Sequence, residues 1–299
     1  MTEGRSAAQG AVAVNATAGL RGAPIGVFDS GIGGLSILQA LRAELPGESF
    51  VYLADTAHAP YGPRSADDIR QRSLAIAEAL RRSWCVKALV VACNTATAAA
   101  IEALRRAHPD LPLVGVEPAL KPAALQSRSR QVGVMVTEAT ARSPRFEALL
   151  ARHTADLRVH IVPCEGLAAA IDAQDTTKIE ALCDRFTLGF RQINAEVPPI
   201  DTVVLGCTHY PLVRDVLARL LGPDVDLIDT GAPVARHTRA QLKERGFLRA
   251  PPVEHDGWHQ RQPANDKLRL LSTGDPAPLA AAARCWLGID QPVGALSLD

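Results

Sequence analysis

The sequence lacks a net charge, and it lacks any long apolar run. Its 299 residues contain 32 basic and 32 acidic side chains, so the formal net charge is zero. A balanced charge creates no overall field that would attract nucleic acid or an anionic membrane. No stretch approaches the roughly 20 continuous apolar residues of a membrane-spanning helix. We therefore expect neither nucleic acid nor a membrane as a partner.

The sequence also has few lysines and no cysteine pair at a metal-binding or redox spacing. None of its five lysines follows a predicted strand end, where a pyridoxal phosphate enzyme would need its Schiff-base lysine. The six cysteines include no C-x-x-C pair and no zinc-finger spacing to a histidine. A chain of this size without a secretory signal is not expected to carry a disulfide framework. Four cysteines are expected to be small buried side chains: Cys85, Cys164, Cys183 and Cys285.

Two segments lie outside the expected folded core. Residues 1–23 are rich in Ala, Gly and Thr and contain no compact apolar block. This composition argues against a secretory signal and predicts a disordered leader on a cytoplasmic protein. Residues 251–265 are polar and predict a surface loop. The loop contains His255, Trp258 and His259, but two histidines in a loop are a weak signal, so we predict no metal site.

Eight short apolar runs predict the strands of an α/β fold. They lie at 24–28, 50–54, 88–92, 113–116, 132–136, 159–162, 202–205 and 226–228. Runs that are this short and rich in Val and Ile are typical of buried parallel strands. Helical patterns, such as those at 65–83 and 97–107, separate the runs. This alternation predicts parallel sheets flanked by helices.

Polar and reactive residues directly follow several of these runs. In parallel α/β folds the functional groups lie at the carboxyl ends of the strands, so these residues are candidates for an active site. They are Asp29, Ser30, Asp55, Cys93, Asn94, Thr95, Thr137, Cys207, Thr208 and His209. The sequences LVVACNT at 89–95 and VVLGCTH at 203–209 resemble each other. This weak repeat suggests two similar halves that face each other across a cleft.

The glycine-rich sequence DSGIGG, which begins at Asp29, leaves two interpretations open. Its glycines would allow backbone N–H groups to approach an anion at the start of the following helix. Alternatively, the segment is a tight turn from strand to helix with Asp29 as its cap, and the spacing alone favours this second interpretation. The dinucleotide-binding pattern G-x-G-x-x-G is excluded, because position 36 is a serine.

Cys93 and Cys207 are the candidate catalytic groups. Each is predicted to precede a helix, and a thiol at a helix N-terminus has a lowered pKa. One such thiol would suit the nucleophile of a hydrolase. Two thiols in matched settings suit the inversion of a stereocentre, which needs a base on one face of the carbon and an acid on the other. Asp29 and His209 are candidates to orient the two thiols.

Five sequence blocks carry a resemblance to a known family. The blocks are DSGIGGL at 29–35, PYG at 60–62, ACNTA at 92–96, LGCTHYPL at 205–212 and IDTGA at 228–232. In this order they resemble the bacterial glutamate racemases of the aspartate/glutamate racemase superfamily, and the resemblance covers most of the chain. It implies interconversion of L- and D-glutamate, a small-molecule substrate, without pyridoxal phosphate or a metal ion as cofactor.

The resemblance also assigns roles to individual residues. It implies that Cys207 removes the α-proton of the L-isomer and Cys93 that of the D-isomer, with Asp29 and His209 assisting them. The implied substrate contacts are Asp29, Ser30, Tyr61, Gly62, Asn94, Thr95, Thr137, Thr140, Thr208 and His209. Asp172 stands near a position where many members of the family carry glutamate, so its supporting role is left open.

For the whole chain, the resemblance implies two α/β domains with the substrate between them. The first would comprise residues 24–116 and 231–290 and hold Cys93, and the second would comprise residues 117–230 and hold Cys207. The expected role is the supply of D-glutamate for peptidoglycan biosynthesis. Members of the family often form homodimers, although no pattern in this sequence specifies an interface.

Three other functions are compatible with the residues themselves. A racemase of aspartate or another small amino acid would share both cysteines and differ in the depth of its pocket. A cysteine hydrolase would depend on only one of the two thiols. A non-catalytic binding protein would use the same cleft without exchanging the α-proton of its ligand with solvent.

Overall fold

A computed structural model of the protein describes four stretches of the chain. They are residues 20–154, 156–191, 198–250 and 267–298. The predicted leader up to residue 19 and the predicted loop at 251–265 lie outside the described residues. Within the four stretches, no helix combines the length and the apolar character that crossing a membrane requires.

Ten strands in the described stretches form two sheets. They are β1 (Ile25–Asp29), β2 (Phe50–Ala54), β3 (Ala88–Val91), β4 (Leu113–Gly115), β5 (Gln131–Val136), β6 (Arg158–Pro163), β7 (Thr202–Leu205), β8 (Asp226–Ile228), β9 (Leu268–Ser272) and β10 (Val293–Ala295). The first sheet has the order β10-β9-β2-β1-β3-β4, and the second has the order β6-β5-β7-β8. All neighbouring strands run parallel.

Helices connect the strands and cover the sheets. They are α1 (Leu35–Glu44), α2 (Ala66–Trp84), α3 (Asn94–Ala107), α4 (Leu120–Gln126), α5 (Glu138–Ala141), α6 (Pro144–His153), α7 (Leu167–Asp172), α8 (Thr176–Arg191), α9 (Arg214–Leu221), α10 (Gly231–Glu244) and α11 (Ala277–Leu287). Short 3-10 turns occur at Thr56–His58 and Tyr210–Val213. Every predicted apolar run forms a strand, so the predicted α/β fold with parallel sheets flanked by helices is confirmed. Strands β9 and β10 are additional to the prediction.

The central strands of both sheets are buried on their two faces. The prediction of a buried strand is wrong for the edge strand β6, which has no buried residue. Successive side chains of a strand point to opposite faces. In β1, Ile25 and Val27 join the core that includes α1 and α10, whereas Phe28 joins the core that includes α2 and α3. In β5, Val134 packs with α4 and α6, whereas Met135 belongs to the core with α7 and α8. Burial on both faces explains why these strands are continuous apolar runs instead of alternating ones.

The chain passes from the first sheet to the second and then returns to the first. We propose the division of the chain that the sequence predicts, and we extend its first part because β10 pairs with β9 beyond residue 290. The first lobe is defined as the described residues of 20–116 and 231–298. The second lobe is defined as the described residues of 117–230.

The four cysteines expected to be buried divide into two pairs. Cys164 and Cys183 are buried as predicted, but Cys85 and Cys285 are exposed, so the prediction is wrong for those two. Cys85 follows the last residue of α2 in a left-handed conformation, with a φ of 51°. Cys285 lies on α11 away from the buried face that includes Leu279.

A buried ion pair ties several segments of the first lobe together. Lys87 and Glu48 are almost inaccessible to solvent, and their charged atoms form a hydrogen bond. The Lys87 ammonium also donates to the carbonyls of Arg21 and Phe247, each at 2.9 Å. The Glu48 carboxylate accepts from the Arg249 amide at 2.8 Å. Removal of one partner would leave an uncompensated charge in the core.

Lys87→Met should therefore destabilise the fold by about 3 kcal/mol, because Glu48 would stay buried without its counter-charge. Thermal unfolding followed by circular dichroism measures the loss. The double variant Lys87→Met/Glu48→Leu removes both charges and should regain part of the lost stability. Lys121 is exposed, and the control Lys121→Met should change stability by less than about 0.5 kcal/mol. A Lys87→Met protein as stable as this control would contradict the role of the pair.

Candidate active site

A cavity of about 330 Å³ lies between the two lobes, at the carboxyl ends of their strands. Its wall brings together residues that follow strands of both sheets. The wall residues that the sequence predicts as candidates are Ser30, Tyr61, Gly62, Cys93, Asn94, Thr95, Thr137, Cys207, Thr208 and His209. The two thiols are thus in the wall of one cavity, although they belong to different lobes.

Two predicted substrate contacts lie behind the wall of this cavity. Asp29 is fully buried and precedes the wall residue Ser30. Thr140 is also buried and adjoins the wall residue Thr137. The Thr137 hydroxyl donates to Thr140 Oγ1 at 3.0 Å, and Thr137 Oγ1 accepts from the Thr140 amide at 3.2 Å. Asp29 and Thr140 therefore reach the cavity through a neighbouring side chain.

Cys93 directly precedes α3 and also lines the cavity. Its Sγ accepts a hydrogen bond from the Ala96 amide at 3.4 Å, so the thiol caps the helix. This cap explains why α3 begins at Asn94, three residues before the predicted helix at 97–107. The thiol donates to Ser30 Oγ at 3.7 Å, and the Ser30 hydroxyl donates to the Asp29 carboxylate at 3.4 Å. Asp29 is thus linked to Cys93 through Ser30.

The pKa of the Cys93 thiol is raised, which corrects the prediction that its place at a helix N-terminus lowers it. Burial is the main cause, because it disfavours the thiolate, and the Asp29 carboxylate adds to the rise. The contacts with Ala96 and Ser30 lower the pKa by less. Cys93 is therefore a protonated thiol at neutral pH and is able to donate a proton.

The glycine-rich turn after β1 is a tight connection in which the amides of Ser30, Ile32 and Gly34 are hydrogen-bonded to carboxylates. Asp29 accepts from the amides of Ser30 at 2.8 Å and Gly34 at 2.5 Å. The Ile32 amide donates to Asp172 at 3.3 Å. These bonds support the second interpretation of the sequence, a tight strand-to-helix turn, although Asp29 binds the amide of Gly34, the residue before α1, and does not cap the helix itself. Burial raises the pKa of the Asp29 carboxyl, although the bonds from the two amides oppose the rise.

Glycine is required at position 33 of this turn and favoured at position 31, because second-lobe side chains lie directly against both residues. A Cβ atom on Gly33 would lie 2.3 Å from Nδ1 of His209, which no real structure tolerates without movement. A Cβ atom on Gly31 would lie 3.0 Å from the Asp172 carboxylate. The absence of a side chain at Gly33 therefore allows the imidazole of His209 to lie against the turn.

Cys207, His209 and Asp172 form a hydrogen-bonded series in the second lobe. Sγ of Cys207 lies 3.6 Å from Nδ1 of His209, and Nε2 of the same ring lies 3.1 Å from Oδ1 of Asp172. Burial lowers the pKa of His209, but Asp172 and Cys207 more than offset it and place the pKa well above its ordinary value. The imidazole is therefore protonated near neutral pH, so it has a donor for each partner.

The surroundings of Cys207 correct the expectation that a helix follows it directly, and they assign a contact to Asp172. Cys207 does not directly precede an α-helix, because the chain first makes a turn in which the Tyr210 amide donates to the Cys207 carbonyl at 3.1 Å. A 3-10 turn follows, and α9 begins only at Arg214. Asp172, whose supporting role the sequence leaves open, is the carboxylate that contacts the ring of His209.

Asn94 contributes an unsatisfied amide group to the cavity wall. Its Oδ1 and Nδ2 are both buried, and neither has a hydrogen-bond partner in the part of the chain that the structure describes. Buried polar groups without a partner are rare, because leaving them unpaired costs free energy. A bound molecule with one donor and one acceptor in reach would satisfy both atoms.

The wall residue Tyr61 is held by a buried carboxylate that the sequence indicates only by its place after a strand. The Tyr61 hydroxyl donates to Asp55 at 2.6 Å. Asp55 also accepts from the Arg72 guanidinium at 2.8 and 2.9 Å and from the Thr273 hydroxyl at 2.7 Å. Burial raises the pKa of Asp55, but these donors outweigh burial and lower it. No sequence pattern identifies Arg72 or Thr273, which approach from other elements.

Other wall residues were not among the predicted site residues. Cys164 and Glu165 follow β6, so the strand-end rule identifies them in retrospect, and Glu138 starts α5. No lysine or arginine is present in the described wall of the cavity. The described stretches also contain no group of three or more metal-binding side chains. His255 and His259 lie outside these stretches.

Sequence comparison identifies the family of the chain. A sequence model described as Asp/Glu/Hydantoin racemase matches residues 34–238. A glutamate racemase from Stutzerimonas stutzeri (strain A1501) is 51% identical over 226 residues. The matched region covers 76% of this chain and 84% of that relative.

Several solved structures with a similar fold are glutamate racemases. An isoform from Bacillus anthracis has a TM-score of 0.77 and 32% identity, over 92% of this chain and 98% of that chain. The Escherichia coli enzyme, in complex with L-glutamate and the activator UDP-MurNAc-ala, has a TM-score of 0.77 and 28% identity over the same shares. The resemblance predicted from the sequence blocks is confirmed. This chain therefore belongs to the Asp/Glu/Hydantoin racemase family.

Proposed function

We propose that this protein interconverts L- and D-glutamate by moving the α-proton of the substrate between two thiols. The observation that carries the proposal is that Cys93 of the first lobe and Cys207 of the second lobe line the same cavity. The names of the relatives, and the related structure with L-glutamate bound, support glutamate as the substrate. Thiols from two lobes suit a reaction that needs a base and an acid on opposite faces of one carbon.

The proposed reaction balances without an added cofactor. From L-glutamate, the thiolate of Cys207 takes the α-proton, and the electron pair of the broken C–H bond stays on the carbon. The thiol of Cys93 then donates its proton to the opposite face, which yields D-glutamate and a Cys93 thiolate. The raised pKa of Cys93 keeps that proton in place until the carbanion forms. From D-glutamate, the two cysteines exchange roles.

Different groups support the two thiols. Beside Cys207, the protonated ring of His209 donates a hydrogen bond to the sulfur and stabilises its thiolate. Asp172 orients the ring and stabilises its positive charge. On the other side of the cavity, Asp29 orients the first-lobe thiol through the hydroxyl of Ser30.

Short polar groups of the wall are proposed to bind the substrate. The proposed direct contacts are Ser30, Tyr61, Gly62, Asn94, Thr95, Thr137, Thr208 and His209. Asp29 and Thr140 act on the substrate through Ser30 and Thr137, behind which they lie. Since the described wall offers no lysine or arginine, hydroxyl groups and the free amide of Asn94 would hold the two carboxylates. Such fixed donors also stabilise the charge that develops in the transition state.

We further propose that the reaction supplies D-glutamate for peptidoglycan biosynthesis in the cytoplasm. This wider role rests on the resemblance of the sequence blocks to the glutamate racemases. A homodimer, which the same resemblance suggests, stays a prediction.

Incubation of the protein with L-glutamate in heavy water, without added cofactor, tests the proposed reaction. We expect D-glutamate with deuterium at its α-carbon, because a thiol proton exchanges with solvent before it is donated. Chiral chromatography with mass spectrometry measures the enantiomer and the label. A parallel incubation with L-aspartate tests the rival substrate. The absence of D-glutamate, or D-glutamate without deuterium, would contradict the proposal.

Cys93→Ala and Cys207→Ala should each lower the rate of racemisation by about a hundredfold to ten-thousandfold, because each removes one of the two proton carriers. The polarimetric rate from either enantiomer measures the loss. Cys183→Ala is the matched control, because Cys183 is buried but does not line the cavity. It should retain most of the activity. Full racemisation by either catalytic variant would contradict the proposed use of two thiols.

Asp172→Asn should lower kcat by roughly tenfold to a hundredfold, because a hydrogen bond to a charged group is worth about 1.5–3 kcal/mol. Asp172 raises the pKa of His209, so its neutralisation lowers that pKa. The imidazole then loses its proton at a lower pH, and the alkaline limb of the kcat–pH profile should move to lower pH.

The control for this prediction is Asp175→Asn. Asp175 is a nearby carboxylate that accepts from the Lys178 amide at 3.0 Å and does not line the cavity. Its neutralisation should leave the alkaline limb unchanged. If Asp172→Asn and Asp175→Asn gave the same profile, the proposed support of His209 by Asp172 would be wrong.

A further inference from the structure

Ser36 makes a hydrogen bond from the first lobe to the turn that carries Cys207. Ser36 is the second residue of α1, and its Oγ lies 2.9 Å from the Gly33 carbonyl oxygen and 2.8 Å from the Thr208 carbonyl oxygen. Both partners are acceptors, so they share the single hydroxyl hydrogen. The contact with Gly33 stays within the turn before α1, whereas the contact with Thr208 crosses between the lobes.

The acceptor in the second lobe places this bond next to the reacting groups. The Thr208 carbonyl belongs to the peptide bond between Thr208 and His209, and Thr208 directly follows Cys207. A bond to this carbonyl restrains the backbone from which the imidazole projects. The ring lies 3.6 Å from the sulfur of Cys207. A rotation of the peptide would therefore change the distance between the ring and the sulfur.

The same first-lobe turn also holds the far side of the imidazole. The Ile32 amide donates to the Asp172 carboxylate at 3.3 Å, and this carboxylate contacts Nε2 of His209 at 3.1 Å. Between these two contacts, the ring lies against Gly33, which has no side chain to displace it. The first lobe thus fixes both the peptide before His209 and the Asp172 carboxylate that contacts its ring. Ser36 holds the peptide, and the Ile32 amide holds the carboxylate.

We propose that Ser36 is a positioning residue for racemisation. Its hydroxyl fixes the Thr208–His209 peptide against the first lobe and thereby sets the position of Cys207 across the cavity from Cys93. The inference rests on the proposed two-thiol racemisation of glutamate. Ser36 does not line the cavity, so it acts only through the turn that it holds.

Ser36→Ala removes the bond, and Ser73→Ala is its matched control. Ser73 is a buried serine of α2, whose hydroxyl donates to the Ile69 carbonyl at 2.7 Å within the same helix. Both variants lose one serine hydroxyl that is bonded to a nearby carbonyl, but only Ser36→Ala loses a bond between the lobes. Ser36→Thr keeps a hydroxyl at the position and tests rescue.

We expect Ser36→Ala to lower kcat/KM for glutamate by about threefold to tenfold, the effect of one hydrogen bond. Both directions must fall equally, because the two enantiomers have the same free energy. Kinetic isotope effects then distinguish the two thiols. The kinetic isotope effect on kcat/KM should rise with L-glutamate deuterated at the α-carbon, because Cys207 breaks the carbon–deuterium bond of this isomer and has become the slower thiol. It should fall with deuterated D-glutamate, since Cys93 breaks that bond.

The isotope effects and the three serine variants decide the inference. Opposite changes in the two isotope effects, with recovery in Ser36→Thr and an unchanged Ser73→Ala, support it. Activity of Ser36→Ala equal to that of Ser73→Ala overturns it. A rate loss that leaves both isotope effects unchanged also overturns it, because loss of folded protein lowers the rate without favouring either thiol. A Ser36→Thr variant that does not recover the activity overturns it as well. If the unaltered protein does not racemise glutamate, the proposed function itself fails, and the inference falls with it.

Discussion

The site depends on the close approach of the His209 ring to a backbone that carries no side chain. A Cβ atom on Gly33 would lie 2.3 Å from Nδ1 of this ring. The two lobes therefore contact each other through the imidazole of His209 and the backbone of Gly33. This contact places the Cys207 turn beside the cavity that Cys93 faces from the first lobe. A larger residue at position 33 would separate the lobes or rotate the ring away from the sulfur. The geometry of the candidate active site thus depends on a residue without a functional group.

The two thiols have different surroundings, although the proposed racemisation uses each of them as both acid and base. Cys93 is a buried protonated thiol, whereas Cys207 lies beside a protonated imidazole. This arrangement suits the direction in which Cys207 accepts a proton and Cys93 donates one. The reverse direction begins from a Cys93 thiolate, which burial disfavours. The contacts of its sulfur with the Ala96 amide and Ser30 hydroxyl oppose that cost, so the cap of α3 would also support the proposed reaction.

Features that depend on neighbouring residues of the sequence could be predicted, whereas those that depend on the complete fold could not. Strands buried on both faces, such as β1 and β5, leave continuous apolar runs, and the groups at their ends follow directly in the sequence, so these strands and both thiols were predictable. The apolar run of β6 was also recognisable, although this edge strand has no buried residue. Strand β9 was not, because the exposed Arg269 interrupts its buried residues. The raised pKa of Cys93 results from burial by the complete fold. Asp172 and His209 meet across 37 residues of sequence, and no motif or periodicity connects them.

The length of the acidic side chain at position 172 is matched to the contact between the lobes. Its carboxylate lies within 3.3 Å of the Ile32 amide, within 3.1 Å of His209, and 3.0 Å from the place of a Cβ atom on Gly31. Glutamate in the same backbone position would carry its carboxylate about 1.5 Å further, toward the turn. Aspartate therefore fits where α7 approaches the glycine turn this closely. Because the first lobe holds this carboxylate and, through Ser36, the peptide before the ring, the position of His209 is a property of the lobe interface and not of the second lobe alone.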